Sequence, residues 1–181
     1  GAGTYTEHSL SLSKSNITIK GAGSSSTIFV SNTTNKGFMS ITGDDNSISD
    51  IKISSYNFTS ASNTANAYGG TGFRVGAAYG SSSASASTVV TGLSLTNIIF
   101  YQNYTRASSG DGGAISFVTN TSGSDQTATI SNCIFDGNTA GDYITPTVSS
   151  TNNGGAIVLK DGNDIVINNS LFYDNRSMGY G

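Results

Sequence analysis

Side chains that could act as acids, bases, nucleophiles or metal ligands are few in this sequence and widely spaced. His8 is the only histidine and Cys133 the only cysteine, which excludes a histidine-based metal cluster and an internal disulfide. Asp44-Asp45 and Asp161-Gly-Asn-Asp164 offer oxygen atoms to calcium, but neither has the spacing of an EF-hand or a calcium-binding β-roll. The sequence therefore predicts no resident metal ion and no other cofactor.

The carboxylates best placed for cleaving a polysaccharide are Asp136 and Asp174, which follow two phenylalanines of a repeated pattern. Glycosidases need two carboxyl groups that flank the scissile bond, and Arg106 and Arg176 lie close by in the sequence. The other interpretation is a solvated edge with surface ion pairs, worth about 0–1 kcal/mol each. We favour this second interpretation and predict no catalytic residue.

Tyrosines are the candidate binding residues, because their rings can stack on sugars or pack against proteins while the hydroxyl stays hydrated. The tyrosines that lie in loops or beside repeated motifs are Tyr68, Tyr79, Tyr101, Tyr104, Tyr143 and Tyr173. We single out Tyr101, Tyr104, Tyr143 and Tyr173 as a binding set. Ordinary packing of loops remains the alternative explanation.

Two further side-chain types bear on modification and redox chemistry. Sequons that permit N-glycosylation occur at Asn16, Asn32, Asn57, Asn103, Asn120, Asn168 and Asn175. For Cys133 we expect a small, buried side chain rather than a reactive thiol.

Composition excludes several classes of partner. Only 10% of the 181 residues are charged, 23 are glycine and the net charge is −3. With no basic run to neutralise phosphates, we expect no nucleic-acid partner, and with no apolar run of about 18 residues we expect no membrane span.

A short strand pattern recurs along the chain and predicts the fold. Apolar residues two positions apart are typical of a strand with one buried face, and they recur at Ile17/Ile19, Ile51/Ile53, Leu93/Leu95, Ala128/Ile130 and Ile165/Ile167. An upstream strand recurs at Leu10/Leu12, Met39/Ile41, Phe73/Val75, Ile115/Phe117 and Ile157/Leu159. Five residues after the first pattern comes a phenylalanine, at Phe58, Phe100, Phe135 and Phe172.

Asparagine occupies a fixed place between the apolar pair and the phenylalanine, at Asn97, Asn132 and Asn169, with Ser55 in an earlier turn. Asparagine tolerates left-handed backbone and suits the bend between two strands. Steps of 20–50 residues indicate a solenoid, so the pattern predicts an all-β parallel β-helix of about five rungs. Its protruding loops are predicted at Ala61–Gly72, Gly80–Thr88, Thr119–Gln126 and Gly141–Asn153.

Two matched motifs carry a resemblance to a known family. Gly112-Gly-Ala-Ile115 and Gly154-Gly-Ala-Ile157 are GGAI segments, and FxxN segments occur at Phe100–Asn103, Phe135–Asn138 and Phe172–Asn175. Their alternation resembles the polymorphic outer membrane protein repeats of autotransporter adhesins, from Gln102 onward. The first half departs from the motifs, with Gly37-Phe-Met-Ser in place of GGAI, and looks more like the start of a pectin-lyase-like helix.

The resemblance implies a right-handed β-helix with an adhesive or structural role outside the cell or at its surface. We expect residues 1–181 to be a single β-helix segment of a longer surface protein. Neighbouring β-helix segments or subunits, and host or matrix glycans or proteins, are the expected partners, and assembly into a filament follows from stacking. The alternative is a polysaccharide-binding or polysaccharide-cleaving enzyme domain. An ice-binding surface would need a regular threonine array, which the sequence does not show.

Overall fold

The computed structural model describes residues 1–58, 69–79, 88–105, 111–118, 125–141, 153–160 and 163–178. These residues form 20 short β-strands and no helix. It follows that no helix in the described part of the chain is long and apolar enough to cross a bilayer. The predicted all-β class is confirmed.

The strands form four parallel sheets, which we name A to D. Sheet A contains β1 (Gly3–Tyr5), β4 (Thr27–Val30), β7 (Lys52–Ser54), β11 (Ile99–Tyr101), β15 (Ile134–Asp136) and β19 (Leu171–Tyr173). Sheet B contains β2 (Leu10–Leu12), β5 (Met39–Ile41), β9 (Phe73–Val75), β13 (Ile115–Val118) and β17 (Ile157–Lys160). Sheet C contains β3 (Thr18–Lys20), β6 (Ser47–Ser49), β10 (Leu93–Thr96), β14 (Gln126–Ser131) and β18 (Asn163–Asn168). Sheet D contains β8 (Asn57–Phe58), β12 (Tyr104–Thr105), β16 (Thr139–Ala140) and β20 (Arg176–Ser177).

The chain visits these sheets in a repeating order. After β1 it passes through sheets B, C and A, and from the second turn onward it adds sheet D. Consecutive strands therefore belong to different sheets, while each sheet gains one parallel strand per turn. This order is consistent with a solenoid, and we call one such turn a rung. Sheets B and C each hold five strands, sheet A holds six and sheet D four.

The register of sheet B is the one that the upstream apolar pattern predicts. Its strands align the column Leu10, Met39, Phe73, Ile115 and Ile157. Because side chains alternate across a strand, the residues two positions later line the same face. Buried apolar residues from sheets A, B and C form one continuous core.

The predicted register is wrong in the second turn. Ile48, not Ile53, aligns with Ile19 and Leu95, and Ile53 aligns instead with Phe100. Ser47-Ile-Ser49 holds a single apolar residue, so the pattern selected the richer Ile51-Lys-Ile53 further along the chain. Phe58 consequently lies in sheet D, beside Thr105.

The remaining phenylalanine column is confirmed and stacks through the core. The rings of Phe100 and Phe135 are 4.7 Å apart at 6°, and those of Phe135 and Phe172 are 4.6 Å apart at 5°. Stacking of like on like follows from the rung geometry, since each rung buries only a few side chains of its own.

The bend after sheet C has left-handed backbone, as predicted for its asparagines. The φ angles are 54° at Asn97, 55° at Asn132 and 45° at Asn169. The second-turn member is Asp50 (φ 60°) rather than the predicted Ser55, and Asn97 Nδ2 donates to Asp50 Oδ1 at 3.1 Å.

A second asparagine column, that of the FxxN motifs, forms a ladder inside the fold. Asn103 Nδ2 donates to Asn138 Oδ1 at 3.0 Å, and Asn138 Nδ2 donates to Asn175 Oδ1 at 2.9 Å. The same amides reach back one rung to backbone carbonyls, as Asn138 does to Phe100 at 3.0 Å. The FxxN motif therefore joins an aromatic stack to a hydrogen-bonded ladder.

The GGAI motif forms a turn that leads into sheet B. A Cβ on Gly113 would collide with the carbonyl oxygen of Gly155 in the next rung, so the two turns approach more closely than side chains allow. The motif is thus explained by the packing of one rung on another.

Candidate functional site

The outer surface of sheet A carries two adjacent columns of side chains, which we call the sheet A face. The inward phenylalanines occupy the central position of β11, β15 and β19, so the residues on either side point outward. One column is aliphatic, with Ile99, Ile134 and Leu171, and the other contains Tyr101, Asp136 and Tyr173.

This face is apolar and open to solvent where strands of soluble proteins usually carry polar residues. Ile99 and Tyr101 are half-buried, and the exposed fraction rises to 37% at Ile134 and to 58% at Leu171 and 65% at Tyr173 in the last described strand of the sheet. Contiguous exposed apolar groups are characteristic of interaction sites. The face can therefore bind a partner through aliphatic and aromatic contact.

Charge on the sheet A face is sparse and paired with its aromatic rings. Lys52 Nζ lies 4.2 Å from the centroid of the Tyr101 ring, a cation–π contact. Asp136 lies between Tyr101 and Tyr173 in its column. An apolar stripe next to one cation and one carboxylate suits a mostly neutral ligand.

The predicted carboxylates do not form a facing pair. Asp136 is paired in register with Tyr173, whereas Asp174 belongs to the next column, where the member one rung away is Gly137. Asp174 binds the guanidinium of Arg176, with Nη2 at 2.9 Å from Oδ1, and both side chains are more than half exposed. Such a pair adds little stability.

A shallow depression of about 210 Å³ lies at the corner between sheets A and D. Its lining contains Gln102, Gly137, Thr139, Asp174, Arg176 and Met178. Arg106, the other predicted cation, lies outside the described residues. The depression continues the sheet A face and contains one ion pair, that of Asp174 with Arg176.

The predicted binding tyrosines separate into different places. Tyr101 and Tyr173 lie on the sheet A face, while Tyr104 is in sheet D, half-buried with its hydroxyl enclosed. Tyr143 and Tyr68 lie outside the described residues. Tyr79 is half-buried: its hydroxyl donates to the Gly70 carbonyl at 2.6 Å, and burial of that hydroxyl raises its pKa above the usual value.

The sequons differ in accessibility. Asn16, Asn32 and Asn168 are exposed, Asn57 and Asn175 are half-buried, and Asn120 lies outside the described residues. Asn103 is fully buried, and both atoms of its amide group are engaged in the ladder. A glycan at Asn103 or Asn175 would have to displace that ladder.

The candidate calcium ligands are either hydrogen-bonded within the fold or held in separate places. Asp44 Oδ1 accepts hydrogen bonds from the Thr91 backbone N–H at 2.8 Å and from the Thr91 hydroxyl at 3.1 Å. Asp164 lies in β18, opposite Thr127, and Asp161 lies outside the described residues. Across the described ranges, no three His, Cys, Asp or Glu side chains group closely enough to hold a metal ion.

Cys133 is buried as predicted. Burial raises the pKa of its thiol to about 11, and the sulfur lies 3.7 Å from the Leu95 carbonyl oxygen. A thiol that stays protonated is a poor nucleophile, so the structure gives Cys133 a packing role.

Sequence reasoning missed the aliphatic column of the sheet A face and a buried arginine. A strand with apolar residues on both sides of its inward phenylalanine, as in Ile99-Phe-Tyr101, was the available signal for the first. Arg74 alternates outward from Phe73 and Val75 but is fully buried, with Cζ 5.9 Å from the Tyr79 ring centroid. Strand alternation gives the direction of a side chain, not what covers it.

The outer surface of sheet C is different in character. Hydroxyl residues recur there in register at Thr18, Ser47, Ser94 and Thr129, and the next member of the column is Val166. Threonine by itself does not recur at every rung of this column. Val166 is 52% exposed, which makes it a matched counterpart for Leu171 on the sheet A face.

No family model, no curated protein and no solved structure matches this chain.

Proposed function

We propose that the four sheets close into a right-handed parallel β-helix, and that this helix is an adhesive or structural module at the cell surface or outside the cell. The observation that carries the proposal is the sheet A face, an outward aliphatic column beside Tyr101 and Tyr173 that is half-buried at Ile99 and most exposed in the last described rung, at 58% for Leu171 and 65% for Tyr173. Burying such side chains against a partner gains roughly 25 cal/mol for each Å² of apolar surface removed from water.

The proposed partners are host or matrix glycans or proteins that present a mostly neutral surface. Tyr101 and Tyr173 supply rings that stack on a sugar or pack against a protein side chain. The GGAI and FxxN motifs, each with a structural role in rung packing, support placing the chain among polymorphic outer membrane protein repeats. That placement agrees with adhesion.

Neighbouring β-helix segments are proposed as a second class of partner. In the last described rung the inward-facing side chains remain exposed, at 49% for Leu159, 41% for Ile167 and 46% for Phe172. A further rung, from this protein or from another subunit, would continue the phenylalanine stack and the asparagine ladder. Filament assembly would follow from the same stacking.

The proposal is tested by binding to a panel of immobilised glycans and matrix proteins. We expect Leu171→Ser and Tyr173→Ser each to weaken binding at least about tenfold, which corresponds to about 1.4 kcal/mol. Val166→Ser on sheet C is the matched control and should leave affinity unchanged. Equal losses in all three variants, or none, would contradict binding by the sheet A face. New chain ends in a polysaccharide of the panel would favour the enzyme alternative.

A further inference from the structure

A carboxylate and an amine from adjacent rungs are in direct contact on the outer side of sheet B. Asp111 precedes the GGAI turn of one rung, and Lys160 ends β17 in the next rung, opposite Val118. Lys160 Nζ contacts Asp111 Oδ2. The Asp111 side chain is 3% exposed and that of Lys160 is 28% exposed, so the pair is largely shielded from water.

The second carboxylate oxygen is held by two N–H donors. Asp111 Oδ1 accepts the backbone N–H of Asn153 at 2.7 Å and its side-chain Nδ2–H at 3.2 Å. The turns themselves are joined one rung to the next, since the Gly112 N–H donates to the Asn153 carbonyl at 2.9 Å. The carboxyl carbon is thus fixed between an amine on one side and two donors on the other.

We propose that Asp111 and Lys160 join in an intramolecular isopeptide bond. The reaction begins when the Lys160 ammonium passes a proton to Asp111 Oδ2 across the contact between the two groups. The lone pair of Nζ then attacks Cγ, and the Asn153 donors stabilise the negative charge that develops on Oδ1. A second proton from Nζ passes to Oδ2, the Cγ–Oδ2 bond breaks and water leaves.

The step is balanced without any further reactant. One ammonium and one carboxylate become one amide and one water molecule, with no change in oxidation state. Fixed contact between the reacting groups replaces the encounter that two free molecules would need. In this scheme Asp111 and Lys160 are the reacting residues, and Asn153 supplies the donors that stabilise the charge on Oδ1.

The bond would tie two neighbouring rungs together covalently. Residues 111 and 160 are far apart in sequence, and a cross-link over such a distance restricts the unfolded chain strongly. A solenoid loses rungs one after another when it is pulled or frayed. A covalent tie between rungs would oppose that loss, whichever surface of the protein binds a partner.

Intact-mass measurement of the denatured protein tests the bond. We expect the wild type to be lighter than its sequence by one water molecule, and a tryptic digest to contain a branched peptide that links Asp111 to Lys160. Lys160→Arg keeps the positive charge but cannot form this amide, and we expect it to show the full sequence mass. Lys14→Arg, at an exposed position, is the matched control and should keep the water loss.

Other outcomes would overturn the inference. A wild type at full sequence mass, with the Lys160 amine open to acylation after denaturation, would leave only an ion pair. Cyclisation of Asp111 onto Gly112 also releases water, but it would persist in Lys160→Arg and give no branched peptide. The wild-type mass and digest decide the matter even if a variant folds poorly.

Discussion

The buried asparagine ladder makes a quantitative prediction about Asn138→Ala. The side chain of Asn138 accepts hydrogen bonds from the Asn103 backbone N–H at 3.1 Å and from Asn103 Nδ2 at 3.0 Å. It donates to the Phe100 carbonyl at 3.0 Å and to Asn175 Oδ1 at 2.9 Å. Alanine removes all four bonds and gives their partners no replacement, because the position is fully buried.

The magnitude follows from those four bonds. A hydrogen bond contributes about 1 kcal/mol net, and a buried group left without a partner costs about 1–3 kcal/mol. We therefore expect Asn138→Ala to lower the free energy of unfolding by about 4 kcal/mol. That is a large share of the roughly 5–15 kcal/mol that stabilises a typical domain.

Urea unfolding followed by circular dichroism measures the loss. Asn168→Ala, at an exposed position in β18, is the matched control and should change the free energy of unfolding by less than about 0.5 kcal/mol. Unfolding in separate steps would show that the rungs do not unfold together, since long repeats lose two-state behaviour. A loss below about 1 kcal/mol for Asn138→Ala would refute the ladder as a main source of stability.

Three other positions give predictions from the same kind of measurement. Phe135→Ala should cost about 3–5 kcal/mol, because it opens a cavity in the middle of the aromatic stack; a loss near 1 kcal/mol would mean that the rings do not stack. Gly113→Ala should lower the thermal midpoint, since its Cβ meets the Gly155 carbonyl oxygen, and an unchanged midpoint would contradict that approach. Burial raises the pKa of Cys133 to about 11, whereas the thiol of the unfolded chain ionises near pH 9. The free energy of unfolding should therefore keep the whole contribution of this thiol below pH 9 and fall by about 2–3 kcal/mol in total as the pH rises toward 11. That decline should disappear in Cys133→Ala when the two proteins are compared at each pH, and equal declines in both would assign it to other groups.

Sheet B could be predicted from the sequence because each of its rungs presents two apolar residues at a spacing of two. Leu10, Met39, Phe73, Ile115 and Ile157 all satisfy that rule, and all align. Stacking gives such a column a strong signal, since every rung must fill the same place in the core.

The predicted register of the second turn was wrong for a physical reason. One buried residue, Ile48, is enough to hold β6 between its neighbours when those supply Ile19 and Leu95. Local pattern cannot detect a strand whose apolar partners all come from other rungs. The unequal lengths of the turns then shifted the prediction onto Ile53.

Of the candidate site, the sequence identified the tyrosines Tyr101 and Tyr173 but not the aliphatic column beside them. Ile134 and Leu171 are apolar, so a one-dimensional pattern assigns them to the core. Their outward direction follows from strand alternation around the inward Phe135 and Phe172, whose pairing the structure shows. The pairing of Asp111 with Lys160 was missed for a similar reason, since it depends on how one turn folds over the next.

The most direct test of the account is a hydroxyl-radical footprint of the protein bound to whichever partner the panel identifies. If the sheet A face is the binding surface, Leu171 and Tyr173 will lose reactivity on binding, while Val166 and Ile17, both exposed away from that face, will not. Protection of Val166 with Leu171 and Tyr173 unchanged would contradict the account and move the binding surface to sheet C.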